Sequence, residues 1–399
     1  MPHCNGEPVE APCRGSDNAA DGLHIHIPTP GDHYSAATGS AVITVIYEMT
    51  RQHACAGGRT SIVVGRGTRH DYEIGECAEV DFTVPPDRRR KLLDAISGRL
   101  GLPRYFGRAV YHPASQTIPR ELDAPIFIHN DPVAITMFKR MHPAARVCLW
   151  AHNELFRSYT NGEAQRVVAS ADRLICCSRY IAKEMASHLP GSSGKIRVVH
   201  NGVNIEQFRP APKSTDGGPI ILFLGRVQPN KGPHLLLRAA ALLKDLGRRF
   251  SVRIVGSSGF SATDPLTSYE QELRRLSVPL GGTVEFQPFV DRHEVMGEYA
   301  AASIFCVPSD WEEPFGLTVL EGMACGLPTI ASSRGGIPEA GGDAILYFDP
   351  PKVDQLAQRL AYLLDDSKAR VEWGSRARAR AETMSWANQY RTLRQALED

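Results

Sequence analysis

The sequence predicts an α/β protein of two domains, each organised around a parallel sheet, and three observations carry that expectation. Short apolar runs recur at 125–129, 146–150, 173–177, 195–200, 220–224, 251–255, 283–287, 303–307 and 329–332, each followed by Gly or polar residues and then a helix-like stretch. Continuous apolarity over about five residues suits strands buried on both faces, with the intervening helices covering those faces as βαβ units. A chain of 399 residues with 42% hydrophobic content matches two cores rather than one. Between Phe208 and Pro219 the chain is rich in Pro and Gly and has almost nothing to bury, so a domain boundary falls just before the run at 220–224. No period of 20 to 50 residues repeats, which sets solenoids and propellers aside.

Taken in order, residues 1–21 are polar and rich in Pro, Gly and Asn, without the apolar core of a secretion signal, and read as a disordered tail. His24-Ile25-His26 alternates as on a strand. The stretch Ala41 to Gln52 contains Val42, Ile43, Thr44, Val45 and Ile46 and has strand propensity. The preceding Gly39-Ser40 supplies a turn and a cap and tips it to helix. Pro233 to Leu246 is a helix by its Pro in the first turn, by the stripe Leu235, Leu236, Ala239, Leu242, Leu243 and Leu246, and by Gly247 after it.

Composition excludes several classes. Lys plus Arg number 45 against 44 Asp plus Glu, a formal charge of +1, so there is no general positive field for a nucleic acid polymer. The longest apolar stretches fall far short of the roughly 20 residues that span a bilayer. The nine cysteines have no C-x-x-C spacing and several lie in apolar runs, which suits buried free thiols and a cytoplasmic location.

The chemistry concentrates at two places. In Pro308-Ser-Asp-Trp-Glu-Glu-Pro-Phe-Gly-Leu-Thr-Val-Leu-Glu, Glu313 lies in a loop after a strand and Glu321 in the helix that starts near Gly316. Two carboxylates beside free helix N–H groups combine acceptors with an anion-binding dipole and suit a phosphorylated polyol. Spacing alone equally allows a solvated loop acid and an ordinary helix-surface glutamate. Leu224-Gly225-Arg226 to Lys231-Gly232-Pro233 joins a strand to a helix and places two cations at the same sheet edge. Facing a diphosphate they would neutralise a departing group without a metal, although taken alone they read first as exposed loop cations. No metal site is expected: no two aspartates are spaced i, i+2, there is no H-E-x-x-H, and His24 with His26 reads as one polar strand face. Neither G-x-x-x-x-G-K-[ST] nor G-x-G-x-x-G occurs, against kinases and dinucleotide oxidoreductases.

Glu313-Pro-Phe-Gly-Leu-Thr-Val-Leu-Glu321 resembles the E-x7-E signature of retaining GT-B glycosyltransferases, and Gly326 to Glu339 continues the match. With Gly225-Arg226 to Lys231-Gly232, Val199 to Asn204 with Phe208, and Ala171-Asp172 to Ser178, the chain resembles glycosyltransferase family 4 (group 1) over roughly residues 125 to 365. The resemblance implies a GT-B fold, two Rossmann-like domains facing across a cleft, with a C-terminal helix near Trp386 to Leu397 crossing back to the first. It implies an N-terminal acceptor-binding domain at 22–210, a linker at 211–219, a nucleotide-sugar-binding domain at 220–375 and the crossing helix at 376–399.

By the same resemblance Arg226 and Lys231 bind the donor diphosphate, Glu321 the ribose hydroxyls, and Glu313 lies against the donor sugar. The backbone from Phe315 through Gly316 and Leu317 to Thr318 holds sugar hydroxyls and phosphate, and backbone near Phe289 and Val290 holds the base. His152, after a strand, faces the reacting sugar. Gly39 allows close approach to phosphate, while Ser40 stands where relatives often have a second glycine and leaves its own role open. The loop Pro28 to Thr38, with Asp32, His33 and Tyr34, faces the cleft and contacts acceptor. The basic stretch Arg88 to Lys91 is a docking helix for anionic membranes in some relatives; a solvated helix face is favoured here.

The expected function is metal-independent transfer of a sugar, with retention, from a nucleotide donor, UDP-linked by preference. The acceptor is a small molecule, glycolipid or saccharide, and no cofactor is needed beyond the nucleotide sugar as co-substrate. A nucleotide-sugar epimerase or hydrolase on the same scaffold and a non-catalytic two-lobed binding protein remain alternatives.

Overall fold

The structure, a computed structural model, describes residues 22–83, 87–189, 191–212, 218–259, 261–292 and 294–398. The expected tail at 1–21 and residues 213–217 of the expected linker lie outside them. The first sheet takes β1 Leu23–Ile27, β2 Arg59–Gly65, β3 Glu76–Val80, β4 Pro125–His129, β5 Arg146–Ala151, β6 Arg173–Cys176 and β7 Ile196–Val198 in the order β3-β2-β1-β4-β5-β6-β7. Its helices are α1 Ala41–Cys55, α2 Arg88–Arg99, α3 Tyr105–Gln116, α4 Pro132–Met141, α5 Asn161–Ser170 and α6 Arg179–His188. The second sheet takes β8 Ile220–Leu224, β9 Ser251–Val255, β10 Val284–Gln287, β11 Ile304–Val307, β12 Thr329–Ser332 and β13 Leu346–Phe348 in the order β10-β9-β8-β11-β12-β13. Around it lie α7 Pro233–Asp245, α8 Ser268–Ser277, α9 Val295–Ala301, α10 Leu317–Ala324, α11 Ile337–Gly341, α12 Val353–Asp365 and α13 Ser367–Thr383, followed by α14 Trp386–Glu398.

Every strand pairing is parallel, so both sheets present their C-terminal edges as rows of loops. In each sheet the order turns at the first strand of the half, β1 or β8, and ligand crevices open at such points. The two-domain α/β architecture is the one the sequence predicts. Strands β2, β3 and β13 were not among the predicted runs. Strand β3 is an edge strand reading Glu-Cys-Ala-Glu-Val with only Val80 buried, and so it lacks the apolar run that marks a central strand.

Helix α1 shows how a β-branched segment becomes helical. Ser40 caps it: its Oγ accepts from the Ile43 amide at 3.4 Å, and its carbonyl accepts the Thr44 hydroxyl at 3.1 Å. The hydroxyl of Ser40 therefore serves the helix terminus. Burial does the rest, with Ile43, Val45, Ile46 and Met49 each nearly fully buried. Branched side chains that strain a solvated helix are well suited to a packed one.

Helix α14 crosses back to the first domain. The crossing is tied by the Val203 amide, which donates to the Met384 carbonyl at 3.0 Å. Trp386, Tyr390, Leu393 and Leu397 then pack in one cluster with Val45 and Met49 of α1 and with Phe127, Cys148, Trp150 and Ile175 of the sheet. Arg146 and Arg173 donate to the carbonyls of Leu397 and Ala396 at 2.7 and 3.0 Å, closing the helix C-terminus with cations.

A second tie between the domains is electrostatic. Glu339 of α11 accepts the Arg179 and Tyr180 amides, both at 2.7 Å, at the N-terminus of α6, and also His200 Nε2 at 2.8 Å. Burial alone would raise this carboxyl, but His200 and the two amides outweigh it and hold its pKa below the usual glutamate value. Among the described residues Cys77, Cys148, Cys176, Cys177, Cys306 and Cys325 are free, while Cys55 is in a disulfide and departs from the expectation of free thiols.

Candidate active site

Two adjoining cavities open between the C-terminal edges of the sheets and share Gly39, Ala41, Leu224, Gly225, Arg226, Leu317 and Thr318. The walls are strand ends, the loops that follow them and the first turns of the next helices, because parallel strands deliver all their connections of one polarity to the same edge. One cavity adds Val290, Arg292 and Glu321; the other adds Asp32, His152, Lys231, Trp311, Glu313, Phe315 and Gly316. All the residues that the sequence assigns to donor and reacting sugar thus come to one cleft.

Glycines at the loops make the close approaches possible. Gly232 has φ 72°, and a Cβ there would lie 1.8 Å from the Pro308 carbonyl oxygen, so the Lys231 loop and the Glu313 loop can touch only with glycine at that position. Gly335 likewise would drive a Cβ to 2.1 Å from the Glu313 carbonyl oxygen. The Gly336 amide donates to that carbonyl at 2.7 Å and fixes the loop before α10.

The charges form an ordered set. Glu313 is 6% exposed; its Oε1 accepts from Lys231 Nζ at 2.6 Å and from Ser309 Oγ at 2.7 Å. The Lys231 ammonium also stands 5.2 Å from the centre of the Trp311 ring. Glu321 is 4% exposed; Arg292 donates to its Oε1 at 2.9 Å and Tyr299 to its Oε2 at 3.1 Å. Burial opposes the Arg292 charge, yet Glu321 beside it keeps its pKa above the ordinary arginine value. Burial, then Glu321, push the Tyr299 hydroxyl well up, so it stays a neutral donor. Arg226 is exposed and has no ion-pair partner among the described residues. In the cleft Glu313 and Glu321 are thus compensated carboxylates, while Arg226 and Asp32 line it without an ion pair among the described residues.

Both alternatives that spacing left open for the glutamates are excluded: neither is a solvated surface residue. Arg292, Tyr299, Ser309 and Trp311 went unread in the sequence. Asn201 also lines the cleft, 6% exposed, with its Oδ1 unbonded. No motif marks Arg292 or Tyr299, which meet Glu321 only through the fold, whereas Ser309, Trp311 and Asn201 lie within the quoted stretches without a role assigned to them.

Across the cleft, His152 follows β5 and is 7% exposed. Its amide donates to Oδ1 of Asn130 at 2.8 Å, and Asn130 itself adopts a left-handed φ of 59° to present that oxygen. Burial lowers the His152 pKa to about 3, so the ring is neutral at physiological pH. Of the expected acceptor loop only Asp32 lines the cleft. Tyr34 is fully buried and donates to the Ile74 carbonyl at 2.8 Å, and His33 Nδ1 accepts the Arg69 amide at 2.8 Å, so these two side chains build the loop instead.

Two family models cover most of the chain: Glycosyltransferase Family 4 matches residues 42–207 and Glycosyl transferases group 1 matches residues 204–380. The chain belongs to the group 1 glycosyltransferases. This glycosyltransferase is 29% identical over 279 residues to spore coat protein SA of Bacillus subtilis, covering 65% of this chain and 73% of that one. It is 36% identical over 246 residues to D-inositol 3-phosphate glycosyltransferase of Streptomyces avermitilis, covering 56% of this chain and 51% of that one. The match thus spans about half the length of the inositol-phosphate enzyme. Among solved structures, Anabaena HepE in complex with UDP and glucose superposes with a TM-score of 0.68 at 16% identity, covering 94% of this chain and 99% of that one, a likeness of GT-B fold. No helix among the described residues is long and apolar enough to cross a membrane.

Proposed function

We propose that this glycosyltransferase moves a sugar from a nucleoside diphosphate donor, UDP-linked by preference, to an acceptor nucleophile with retention at the anomeric carbon and without a metal ion. The observation that carries the reading is the grouping of Arg226, Lys231, Glu313 and Glu321 in one cleft, opposite a neutral histidine. The diphosphate lies between Arg226, Lys231 and the amides at the start of α10. Lys231 keeps donor hydrogens beyond the one given to Glu313, and Arg226 brings a whole charge, so negative charge growing on the leaving phosphate meets fixed cations. One such donor commonly contributes about 3 to 4 kcal/mol to a transition state. Glu321, held by Arg292 and Tyr299, accepts from the ribose hydroxyls. Val290 borders the base, Glu313 and His152 border the sugar, and Gly39 lets the first domain close on the phosphates. The complexes of HepE with UDP and with UDP-glucose support a uridine donor.

The test is direct. Purified protein is screened with UDP-, GDP- and ADP-sugars by thermal shift, then incubated with the stabilising donor and candidate acceptors, with products read by mass spectrometry and anomeric NMR. The reading requires a glycosylated product with retained configuration and activity that survives EDTA. Free sugar as sole product would establish the hydrolase reading, and no affinity for any nucleotide the binding-protein one.

An acceptor presented at an anionic membrane is favoured by helix α2. Its inward face is polar: Asp94 is buried and accepts the Phe106 and Gly107 amides at 3.0 and 2.7 Å. Its apolar residues point outward, with Leu92 62%, Leu93 51% and Ile96 43% exposed beside Arg88 to Lys91. A merely solvated helix has no use for that inversion. Flotation with phosphatidylglycerol vesicles, but not with neutral ones, is expected; no flotation with either removes the membrane reading.

A further inference from the structure

His152 does not stand alone. Its Nε2 lies 2.9 Å from Nδ1 of His129, and His129 Nε2 lies 2.9 Å from Nδ1 of His26. The rings sit on β1, on the adjacent β4 and just past the end of the next strand, β5. Register explains the line: His26 pairs with Phe127 and His129 with Trp150, so each ring lies one strand over and two residues further toward the C-terminal edge than the last. A two-residue step keeps all three on one face of the sheet. That face is closed by α1 and α14, and exposure is 1% for His26, 0% for His129 and 7% for His152. Successive rings are nearly parallel, with interplanar angles of 22° and 14°.

We propose that His26 and His129 are positioning residues that lock the ring orientation and the tautomer of His152. The proposal rests on the reading in which His152 borders the reacting sugar. A neutral imidazole has one N–H and one lone pair. With both inter-ring bonds made, only two arrangements exist. If His152 donates through Nε2, then His129 donates through Nε2 to His26, and all three rings are Nε2–H tautomers. If His26 donates through Nδ1, then His129 donates through Nδ1 to His152, and all three are Nδ1–H tautomers. In the first arrangement His152 Nδ1 is an acceptor; in the second it is a donor. The nature of the one ring nitrogen that His129 does not occupy is therefore decided by the whole line rather than by His152. A ring so held offers a sugar hydroxyl a partner of fixed kind and direction, at no cost of reorganisation during reaction.

Burial supports the neutral state of all three: it lowers His26 and His152 to about 3 and His129 well below its ordinary value. For His26 and His129 coulombic repulsion from neighbouring histidines adds to this, because two charged rings would stand 2.9 Å apart.

Protein labelled with 15N-histidine decides the matter by long-range 1H–15N correlation spectra, which distinguish the two neutral tautomers. His26, His129 and His152 are expected to share one tautomer at pH 7.5, and unlike tautomers among them would overturn the proposal without any need for a variant. His129→Phe keeps an aromatic ring in place and removes both bonds. It should release His152 into a mixture of tautomers and lower kcat by about 10- to 100-fold, the usual cost of losing an orienting partner, with KM for donor nearly unchanged. His129→Asn, whose amide can stand near the position of Nδ1, should recover part of that loss. In a His152→Ala background His129→Phe should cost nothing further. An equal loss in both backgrounds would mean a merely structural role and overturn the proposal. An unchanged kcat in His152→Ala alone would instead overturn the role of His152 in the reaction, while the tautomer spectra still decide the line of rings.

Discussion

Lowering the pH from 7.5 to 5.5 should destabilise the first domain far more than ordinary histidine content allows. Four imidazoles of that domain are buried and neutral: burial holds His152 at about 3, and burial helped by neighbouring histidines holds His24 at about 2, His26 at about 3 and His129 well below 6.5. In the unfolded chain each titrates near 6.5. A depressed folded pKa means the unfolded state binds more protons below that point, so the stability is complete above about pH 6.5 and falls as the pH drops. Across those two pH units each group takes up most of a proton only on unfolding, worth about 1.4 kcal/mol, and the four together cost roughly 5 kcal/mol. That is a large part of the roughly 5 to 15 kcal/mol that holds a domain folded. Half-buried Asp32 and Asp131 have raised pKa values and oppose the loss, but only nearer the carboxylate range. Urea unfolding at a series of pH values, followed by fluorescence of Trp150 and Trp386 and by circular dichroism, measures the slope. A shift of the first transition by less than about 1 kcal/mol between pH 7.5 and 5.5 would refute the burial argument. His24→Gln should lower the slope by one proton's share.

Lys231→Ala should cut turnover at least 100-fold, the usual cost of one transition-state donor, and should also destabilise the second domain by about 2 kcal/mol because Glu313 keeps only Ser309 as partner. Adding Glu313→Gln should restore stability in thermal unfolding but not turnover; recovery of turnover would refute the diphosphate role. Arg292→Ala should weaken nucleotide binding about 10-fold or more by calorimetry, since Glu321 then keeps only Tyr299; unchanged affinity would show that Glu321 does not hold ribose. Glu339 has a depressed pKa, so its contribution is present above about pH 4.5 and lost as the pH falls through its folded value. Glu339→Gln should accordingly flatten the acid limb of the melting-temperature profile in that range, and an unaltered limb would deny the electrostatic tie.

What could be read from the sequence was local. The run Ile220 to Leu224 declares a buried strand because all five of its residues are apolar, and the observed strand has those limits. Helix α7 declares itself by period, Pro and Gly between Pro233 and Gly247. Helix α1 was harder, since its branched residues favour a strand and Ser40 alone tips the local balance. Edge strand β3 escaped because a strand with one open side needs no apolar run.

The site divides in the same way. Glu313, Glu321, Arg226 and Lys231 were legible because they lie within two short segments whose spacing carries a family signature. Arg292 and Tyr299 were not, because each meets Glu321 across 29 and 22 positions of chain. Nor could His26 be told from a polar strand face: its partner is 103 residues away, and only the order β1-β4-β5 brings the rings together. By itself, then, the sequence determined the two-domain α/β class, through the recurrence of short apolar runs, and it singled out the charged groups of the cleft through their resemblance to a family signature. Tertiary structure alone decided which charges are paired, which histidines are neutral and how the two edges face each other, since burial and hydrogen bonding are properties of distant segments brought into contact.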